Sequence, residues 1–401
     1  MPWLETDVRD QRLQFVLAVR QRRGTVTALC RAFGVSRQTG HKWLRREAAA
    51  QTVAVLADHS RRPHRSPTRT DPATTERILV LRDEFGWGGA KLACVLAAEG
   101  VTISRRTIDR IIQREGRTRP DTSPAPALRR FARSAPNDLW QMDAKGAYPL
   151  RPSGRCHPLS ILDDHSRFAV GLYALPSLTT TAVQPVLIDC FERYGVPRAM
   201  LMDHGAPWWG SANRDGLTQL SVFLLKQGIQ LLYGAVRHPQ TQGKVERFHR
   251  TLAERLRWGG VPTTLPQFVR TFRWFRDEYN EVRPHAALDM RPPATRFTPS
   301  QRAYRVVPPR WEYPSGLEIR RVQHCGIIHF GGTWHFVSEA LRGEHVACVV
   351  VADRVLVMYR HMYVRELHPR ARRSLPLLEP VAGAWPVESP IPPLYDGSAV
   401  S

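Results

Sequence analysis

The sequence predicts a multidomain α+β protein with N-terminal helix-turn-helix units, a central mixed α/β domain built on a five-stranded sheet, and a small C-terminal β-barrel. Three observations lead to this fold class. Helical periodicity dominates the first 116 residues, strand-like alternation and helical segments share residues 136–300, and short strands with Gly and Asp turns follow to residue 370. Basic or Pro-rich stretches typical of linkers separate these regions.

The predicted boundaries follow these changes of pattern. They give a helix-turn-helix unit at 1–55, a basic linker at 56–72, a second helix-turn-helix unit at 73–116, a linker at 117–135, the central domain at 136–300, the β-barrel at 301–370 and a Pro-rich tail at 371–401. A chain of 401 residues has room for several domains of roughly 100–200 residues. The tail is expected to be disordered or loosely docked.

The charge balance indicates a nucleic-acid partner. The chain has 58 Lys and Arg against 36 Asp and Glu, and its net charge of +22 favours an extended polyanion as partner over a merely solvated basic surface. The six cysteines have no zinc-type spacing, which indicates reduced thiols in a cytosolic protein. We recognise no secretory signal and no apolar run of about 18 residues, so a cytoplasmic protein without membrane spans is expected.

Residues 11–47 predict the first helix-turn-helix unit. Apolar residues recur at helical spacing in "QRLQFVLAVRQRRG" and "TVTALCRAFGV", which are interrupted by Gly24 and Gly34. A third helix begins after Ser36, a favourable N-cap, in "SRQTGHKWLRRE". A short helix, a glycine turn and a basic helix are typical of DNA-binding modules whose second helix enters the major groove. The predicted DNA contacts are Arg37, Gln38, His41, Lys42 and Arg45.

A second helix-turn-helix unit is predicted after the basic linker. Its helices lie in "ATTERILVLRDEFG", "AKLACVLAAEG" and "VTISRRTIDRIIQREG", and Ser104 is the N-cap of the last one. The spacing of this last helix turns its isoleucines inward, at Ile108, Ile111 and Ile112. Arg105 and Arg106 then remain outside as predicted DNA contacts.

The central region combines two strand patterns. Three apolar, turn-bounded strands are predicted in "DLWQMDAKGAYPL", "HPLSILDDHSR" and "FAVGLYALPS". Helices and strands then alternate through "TTTAVQPVLIDCFERYG", "VPRAMLMDHG", "GLTQLSVFLLKQG" and "IQLLYGAV". Three antiparallel strands followed by this alternation predict a mixed five-stranded sheet with helices on both faces.

Three acids occupy positions that can converge at one edge of this sheet. Asp143 lies in the first predicted strand, Asp203 at the end of the fourth, and Glu246 at the start of the helix after the fifth. Three converging carboxylates repel one another unless a cation lies among them, and Mg²⁺ or Mn²⁺ prefers such oxygen ligands. Two such ions can drive displacement at phosphorus, and Lys244, Arg247 and Arg250 are predicted to hold the phosphates.

These motifs resemble a known family. The stretches "WQMD", "MDHG", "HPQTQGKVERFHRTL" and "YNEVRPHAAL", between about residues 135 and 300, are similar to the DDE integrase core of bacterial insertion-sequence transposases and retroviral integrases. The resemblance implies an RNase H-like fold and two Mg²⁺ ions per active site, bound by Asp143, Asp203 and Glu246. It also implies binding to terminal inverted repeats, hydrolysis that frees a 3′-OH, and joining of that hydroxyl to target DNA. The expected protein is a homo-oligomer on double-stranded DNA in the bacterial cytoplasm, associated with the nucleoid.

The sequence departs from the family at the second acid. His204 follows Asp203 where the family has Asn, and the interval before Glu246 is longer because of the insertion "APWWGSANRDG". Within that insertion, Trp208 and Trp209 either stack on DNA bases or pin the loop to the core. An insertion between a strand and a helix need not disturb the site.

Several residues keep two interpretations. His238 and Gln242 either position a phosphate or stabilise their loop, and Arg283 and His285 are candidates for structural caps. Asp163 and Asp164 are interpreted as strand-end and turn residues rather than catalytic ones. Two other functions also remain open, a catalytically inactive DNA-binding regulator and an RNase H-like nuclease that cuts without strand transfer.

Overall fold

The computed structural model divides into two compact units, Met1–Asp71 and Pro72–Ser401. It describes residues 7–50, 56–58, 69–118, 132–210, 216–234 and 243–381. Most of the predicted basic linker therefore lies outside the described residues, as do His238 and Gln242. No helix among the described residues is long and apolar enough to cross a membrane.

The first unit is a bundle of three helices. They are α1 Val8–Arg20, α2 Val26–Ala32 and α3 Arg37–Ala50. The Ser36 hydroxyl accepts a hydrogen bond from the Thr39 backbone N–H at 3.1 Å. Ser36 is therefore the N-cap of α3, as predicted. Gly40 lets α3 cross its neighbours closely, because a Cβ there would lie 2.4 Å from the Cys30 sulfur. Phe15, Cys30 and Trp43 form the small core.

Three further helices open the second unit and repeat this construction. They are α4 Pro72–Phe85, α5 Gly89–Ala98 and α6 Arg105–Arg114. Ser104 caps α6 through the Thr107 backbone N–H at 3.2 Å. The turn before it contains Gly100 with φ +85°, a left-handed conformation that favours glycine. The three isoleucines of α6 are buried as predicted, and they pack with Leu92 and Leu96 of α5.

The central sheet is mixed, as predicted. Its elements are β1 Trp140–Ala144, β2 Tyr148–Pro149, β3 Arg155–Asp163, β4 Ala169–Leu175, α7 Thr180–Tyr194, β5 Ala199–Met202, α8 Gln219–Lys226 and β6 Gln230–Tyr233, followed by α9 Gly243–Gly259 and α10 Leu265–Asp277. The strand order is β2-β3-β1-β5-β6, with β4 also paired to β3. The β1–β3 and β3–β4 pairs are antiparallel, whereas β1–β5 and β5–β6 are parallel. The two-residue strand β2 makes six strands among the described residues where five were predicted.

Helices cover both faces of this sheet. On one face, α7 and α8 bury Val183, Leu187 and Leu224 against the strands. On the other, α9 and α10 bury residues that include Phe248 and Phe272. Because α9 packs directly on β1 and β3, the residues at its start lie near the ends of these strands.

The C-terminal region is an open sheet and not the predicted β-barrel. Its strands are β7 Glu318–Arg321, β8 Ile327–Phe330, β9 Thr333–Phe336, β10 His345–Val351, β11 Arg354–Tyr359, β12 Met362–His368 and β13 Arg373–Pro380. Five strands run in the order β13-β12-β11-β10-β7, and β8 pairs with β9. The sheet does not close on itself to bury its apolar face. The central domain covers that face instead, since Val357, Met362 and Leu367 share one core with Leu231 of β6.

The predicted start of the Pro-rich tail at residue 371 is also corrected. Residues Arg373–Pro380 form β13, which pairs antiparallel with β12. Pro376 and Pro380 are compatible with a strand here because β13 is the edge of its sheet, where a missing N–H breaks no further ladder. Residues 382–401 lie outside the described part of the chain.

Candidate active site

The parallel pairing of β1 with β5 brings the first two acids to one edge of the sheet. Trp140 pairs with Met200 and Gln141 with Leu201. The same register, continued by two residues, sets Asp143 beside Asp203, which directly follows β5. The carboxyl end of parallel strands is where open α/β sheets bind ligands.

The electrostatics of Asp143 reflect the other two acids. Burial, joined by the negative charges of Asp203 and Glu246, raises the pKa of Asp143 to about 6. The Ala144 backbone N–H donates to its Oδ1 at 2.8 Å and acts in the opposite direction. Acids from the end of β5 and from α9 therefore act on a carboxylate of β1, and a bound cation would relieve this repulsion.

Asp203 is held by the residues that follow it. The Gly205 N–H and the Trp208 indole N–H both donate to Asp203 Oδ1, at 3.0 and 2.5 Å. Gly205 makes this possible, because a Cβ there would lie 2.9 Å from that oxygen. Only Oδ1 is used by these two donors, so they orient the carboxylate through one of its oxygens.

Trp208 pins the inserted loop to the core. Its side chain is only 2% exposed, and its carbonyl accepts hydrogen bonds from Ser221 Oγ at 2.7 Å and from the Tyr233 hydroxyl at 2.9 Å. Trp209 packs edge-on against His204, with ring centroids 4.6 Å apart. The sequence left open whether Trp208 stacks on DNA bases or pins its loop to the core, and these contacts support the second interpretation. His204 takes part in the aromatic packing of the same loop.

Glu246 lies exposed in the first turn of α9. Val245, Phe248 and Leu252 of this helix are buried, as its spacing predicts. This arrangement leaves Glu246 on the side of α9 that is not used for packing.

His249 is a site residue that sequence reasoning missed. It is buried one turn after Glu246, with Nδ1 3.6 Å from Asp143 Oδ2 and Nε2 2.9 Å from Ser160 Oγ. Burial, joined by the positive charge of Lys145, lowers the pKa of His249 to about 4, so the ring is neutral near pH 7. Its position three residues after Glu246 was the available signal, because residues three apart are neighbours on a helix.

The three basic residues beside Glu246 are in different environments. Arg247 and Arg250 are exposed on α9. Lys244, in contrast, forms an ion pair with the buried Asp164, with Nζ 2.5 Å from Oδ1. Lys244 is thus held against protein, whereas the two arginines face solvent.

The predicted contacts of the helix-turn-helix units all lie on exposed faces. On α3 the exposed residues are Arg37, Gln38, His41, Lys42 and Arg45. On α6, Arg106 is exposed, and the exposed Arg105 pairs with Asp109 at 3.3 Å. A basic face opposite a buried apolar face suits a helix that lies against phosphates.

The remaining candidates are structural. Arg283 lies 3.8 Å from the buried Glu278, and the His285 ring packs edge-on against Tyr279 with centroids 4.5 Å apart. Both residues therefore support the turn that follows α10.

The donor chemistry of the three acids fits a hard divalent cation. Carboxylate oxygens are the ligands that Mg²⁺ and Mn²⁺ prefer, and the repulsion acting on Asp143 is what a bound cation would relieve. Within the described ranges, no group of three His, Cys, Asp or Glu side chains is close enough to hold one ion. The acids thus lie within electrostatic range of one another rather than in contact.

Comparison with known families agrees with this organisation. Two models described as integrase core domains match residues 133–239 and 227–293. A helix-turn-helix domain model matches residues 11–64, and a homeodomain-like domain model matches residues 39–112. The chain therefore combines an integrase core with N-terminal helix-turn-helix domains, a composition that supports a transposase or integrase role in DNA recombination.

Solved structures with similarity to the chain include retroviral integrases. The catalytic core domain of HTLV-2 integrase in complex with magnesium, in its dimeric form, is 14% identical over 38% of this chain and 92% of that one, with a TM-score of 0.29. The trimeric form is 14% identical over 41% and 97%, with a TM-score of 0.31. The simian T-cell lymphotropic virus intasome, in complex with the PP2A regulatory subunit B56 gamma, is 13% identical over 70% and 91%, with a TM-score of 0.34.

Proposed function

We propose that this protein is a DNA transposase that binds the terminal inverted repeats of its element, hydrolyses a strand at each end and joins the freed 3′-OH to target DNA. The observation that carries the proposal is the β1–β5 register, which aligns Asp143 with Asp203 at the carboxyl edge of an integrase core. Glu246 on the adjacent helix completes the set of three acids.

Asp143, Asp203 and Glu246 would hold two Mg²⁺ or Mn²⁺ ions. When bound, such ions activate an attacking oxygen and stabilise a leaving oxygen at phosphorus. The chain contributes orientation, since Trp208 and Gly205 fix one oxygen of Asp203. His249 is neutral and lies against Asp143, so it supports that carboxylate without adding a competing positive charge.

The DNA-binding surfaces follow from charge and exposure. The exposed faces of α3 and α6 would contact the transposon ends, and Arg247 and Arg250 would hold phosphates next to the acids. A transposase must bring two ends and a target together, so we expect a homo-oligomer on DNA. Lys244 contributes to this surface less than predicted, because Asp164 already neutralises it.

A strand-cleavage and joining assay tests the proposal. The purified full chain is incubated with Mg²⁺, a labelled duplex that carries the element end, and an unlabelled target duplex. We expect nicking at the end and labelled joined products. Asp203→Asn and Glu246→Gln should abolish both while retaining duplex binding.

The same assay separates the other functions. Binding of the duplex without any nicking in Mg²⁺ or Mn²⁺ would overturn the enzyme and favour an inactive DNA-binding regulator. Nicking without joined products would favour a nuclease that lacks strand transfer.

A further inference from the structure

A buried acid outside the proposed metal site, Asp164, connects β1 and α9. These two elements carry the proposed metal ligands Asp143 and Glu246. Its side chain is 0% exposed. Asp164 Oδ1 accepts hydrogen bonds from Gln141 Nε2 at 2.8 Å and from Lys244 Nζ at 2.5 Å. Oδ2 accepts from the Arg133 backbone N–H at 2.8 Å. One buried carboxylate thus joins β1 to the first turn of α9.

Both side-chain donors stand next to a proposed ligand. Gln141 is two residues before Asp143 on β1, and Lys244 is two residues before Glu246 on α9. A strand side chain and the one two residues on lie on the same face of a sheet. The attachment at Asp164 therefore fixes the separation of β1 and α9 within two residues of both acids.

A second attachment holds α9 on the other side of Glu246. His249 contacts Ser160 Oγ of β3 and lies against Asp143, while the Lys145 Nζ donates to the His249 carbonyl at 2.9 Å. Glu246 itself is exposed, and within the described residues no hydrogen bond to its side chain is found. Its position is consequently set by the two neighbours that bracket it, Lys244, which is held by the buried Asp164, and the buried His249.

Stability alone is a weak reason for this ion pair. Removing two charges from water costs about as much as their attraction returns, so an apolar pair of similar volume is often equally stable. What an apolar pair cannot supply is a directional link, because the ammonium group also donates to the Asp164 carbonyl at 3.2 Å. The contact defines both the distance and the rotation of the first turn of α9.

We propose that the Asp164–Lys244 pair is a positioning device that fixes the first turn of α9, and with it Glu246, relative to β1 and Asp143 before any metal ion binds. This inference rests on the proposed function, in which Asp143 and Glu246 are metal ligands. Lys244 and Asp164 touch neither DNA nor metal in this role. They act through the first turn of α9.

The test separates positioning from stability with two variants of the full chain. The double variant Lys244→Met with Asp164→Asn removes both charges and leaves no unpaired buried ion, so it should fold. The variant Lys244→Arg keeps the charge and should retain most of the function. Arg257→Met is the matched control, since it replaces an exposed cation of the same helix. Thermal melting establishes folding, and calorimetric titration with Mn²⁺ in the absence of DNA measures metal affinity.

We expect the double variant to melt near the wild type and to bind Mn²⁺ roughly tenfold more weakly, the low end of the effect of removing a residue that supports a metal ligand. Lys244→Arg should lie between the two, and Arg257→Met should bind Mn²⁺ like the wild type. A folded double variant with unchanged Mn²⁺ affinity would overturn the positioning role. If wild type and Glu246→Gln bind Mn²⁺ equally or not at all, the metal site itself is wrong, which is a separate result.

Discussion

Asp143 and Asp164 are aspartates associated with the same two neighbouring strands, yet their environments are opposite. Asp164 is fully buried and receives donors from Gln141, Lys244 and the Arg133 backbone. Asp143 is half-buried, and the charges that act on it come from two other acids. A carboxylate whose lone pairs are filled by protein donors holds the fold together, whereas one surrounded by carboxylates is suited to a cation.

Asp163 extends the structural side of this comparison. Its Oδ1 accepts from the Asn137 N–H at 2.7 Å, and its Oδ2 accepts from the Ser166 N–H and hydroxyl at 2.8 and 2.6 Å. These bonds close the turn between β3 and β4. Asp163 and Asp164 therefore lie at the end of a strand, as the sequence indicated. Asp163 closes the turn, and Asp164 also contacts Gln141 and Lys244.

The largest effect is expected from Asp143→Asn. Nicking should fall by roughly a thousandfold or more, because loss of a metal ligand removes several kcal/mol of transition-state stabilisation. Thermal stability should stay the same or rise, since the change removes the repulsion from Asp203 and Glu246. Parallel nicking and melting measurements check this; a strongly lowered melting temperature would place Asp143 with the structural acids.

Asp164→Asn should have the opposite profile. It leaves the Lys244 ammonium, which is only 15% exposed, without its counter-ion, so the free energy of unfolding should fall by about 3–5 kcal/mol. Adding Lys244→Met should recover most of this loss. Denaturant unfolding of the single and double variants measures it, and a single variant as stable as the wild type would contradict the structural assignment of Asp164.

Trp208→Phe should have an intermediate effect. It keeps the aromatic packing of the loop but removes the indole N–H that orients Asp203. The Mg²⁺ concentration for half-maximal nicking should rise roughly tenfold, as for other residues that support a ligand. Melting should change by only a few degrees, consistent with the loss of one hydrogen bond worth about 1–3 kcal/mol. An unchanged Mg²⁺ requirement would show that Trp208 serves the loop alone.

The double variant Lys42→Ala with Arg45→Ala on α3 should have the smallest effect on the proposed metal site and on the structural acids Asp163 and Asp164. These exposed residues lie on the first helix-turn-helix unit and outside the integrase core. Duplex affinity should fall and its salt dependence should weaken, since fewer phosphate contacts release fewer counter-ions. Electrophoretic mobility shifts at several salt concentrations measure this. Altered Mn²⁺ binding in this variant would indicate that the acids do not act independently of the DNA-binding face.

Much of the fold could be predicted from local patterns in the sequence. The caps at Ser36 and Ser104, the inward isoleucines of α6 and the alternation of the central sheet depend on neighbours within one or two turns or strands, and each was predicted correctly. The positions of the acids also followed from strand ends, because the edge of a sheet gathers residues from distant parts of a chain.

What the sequence did not reveal depends on long-range contacts. The pairing of Lys244 with Asp164 and of His249 with Ser160 joins residues far apart in the chain, and no local pattern specifies it. The β-barrel prediction failed for a related reason. Alternating strands fit either a closed barrel or an open sheet, and here packing against Leu231 and its neighbours decided the outcome. The proline content of β13 likewise suggested a tail because its place at a sheet edge was not visible.

Diffraction from crystals of the full chain bound to an element-end duplex and soaked in Mn²⁺ tests the three-acid metal site most directly. Anomalous difference maps should show two Mn²⁺ peaks at the carboxylates of Asp143, Asp203 and Glu246. Crystals of Glu246→Gln should lose at least one of the peaks. Well-ordered wild-type crystals with no Mn²⁺ at these carboxylates, or with Mn²⁺ bound elsewhere in the core, would contradict the site.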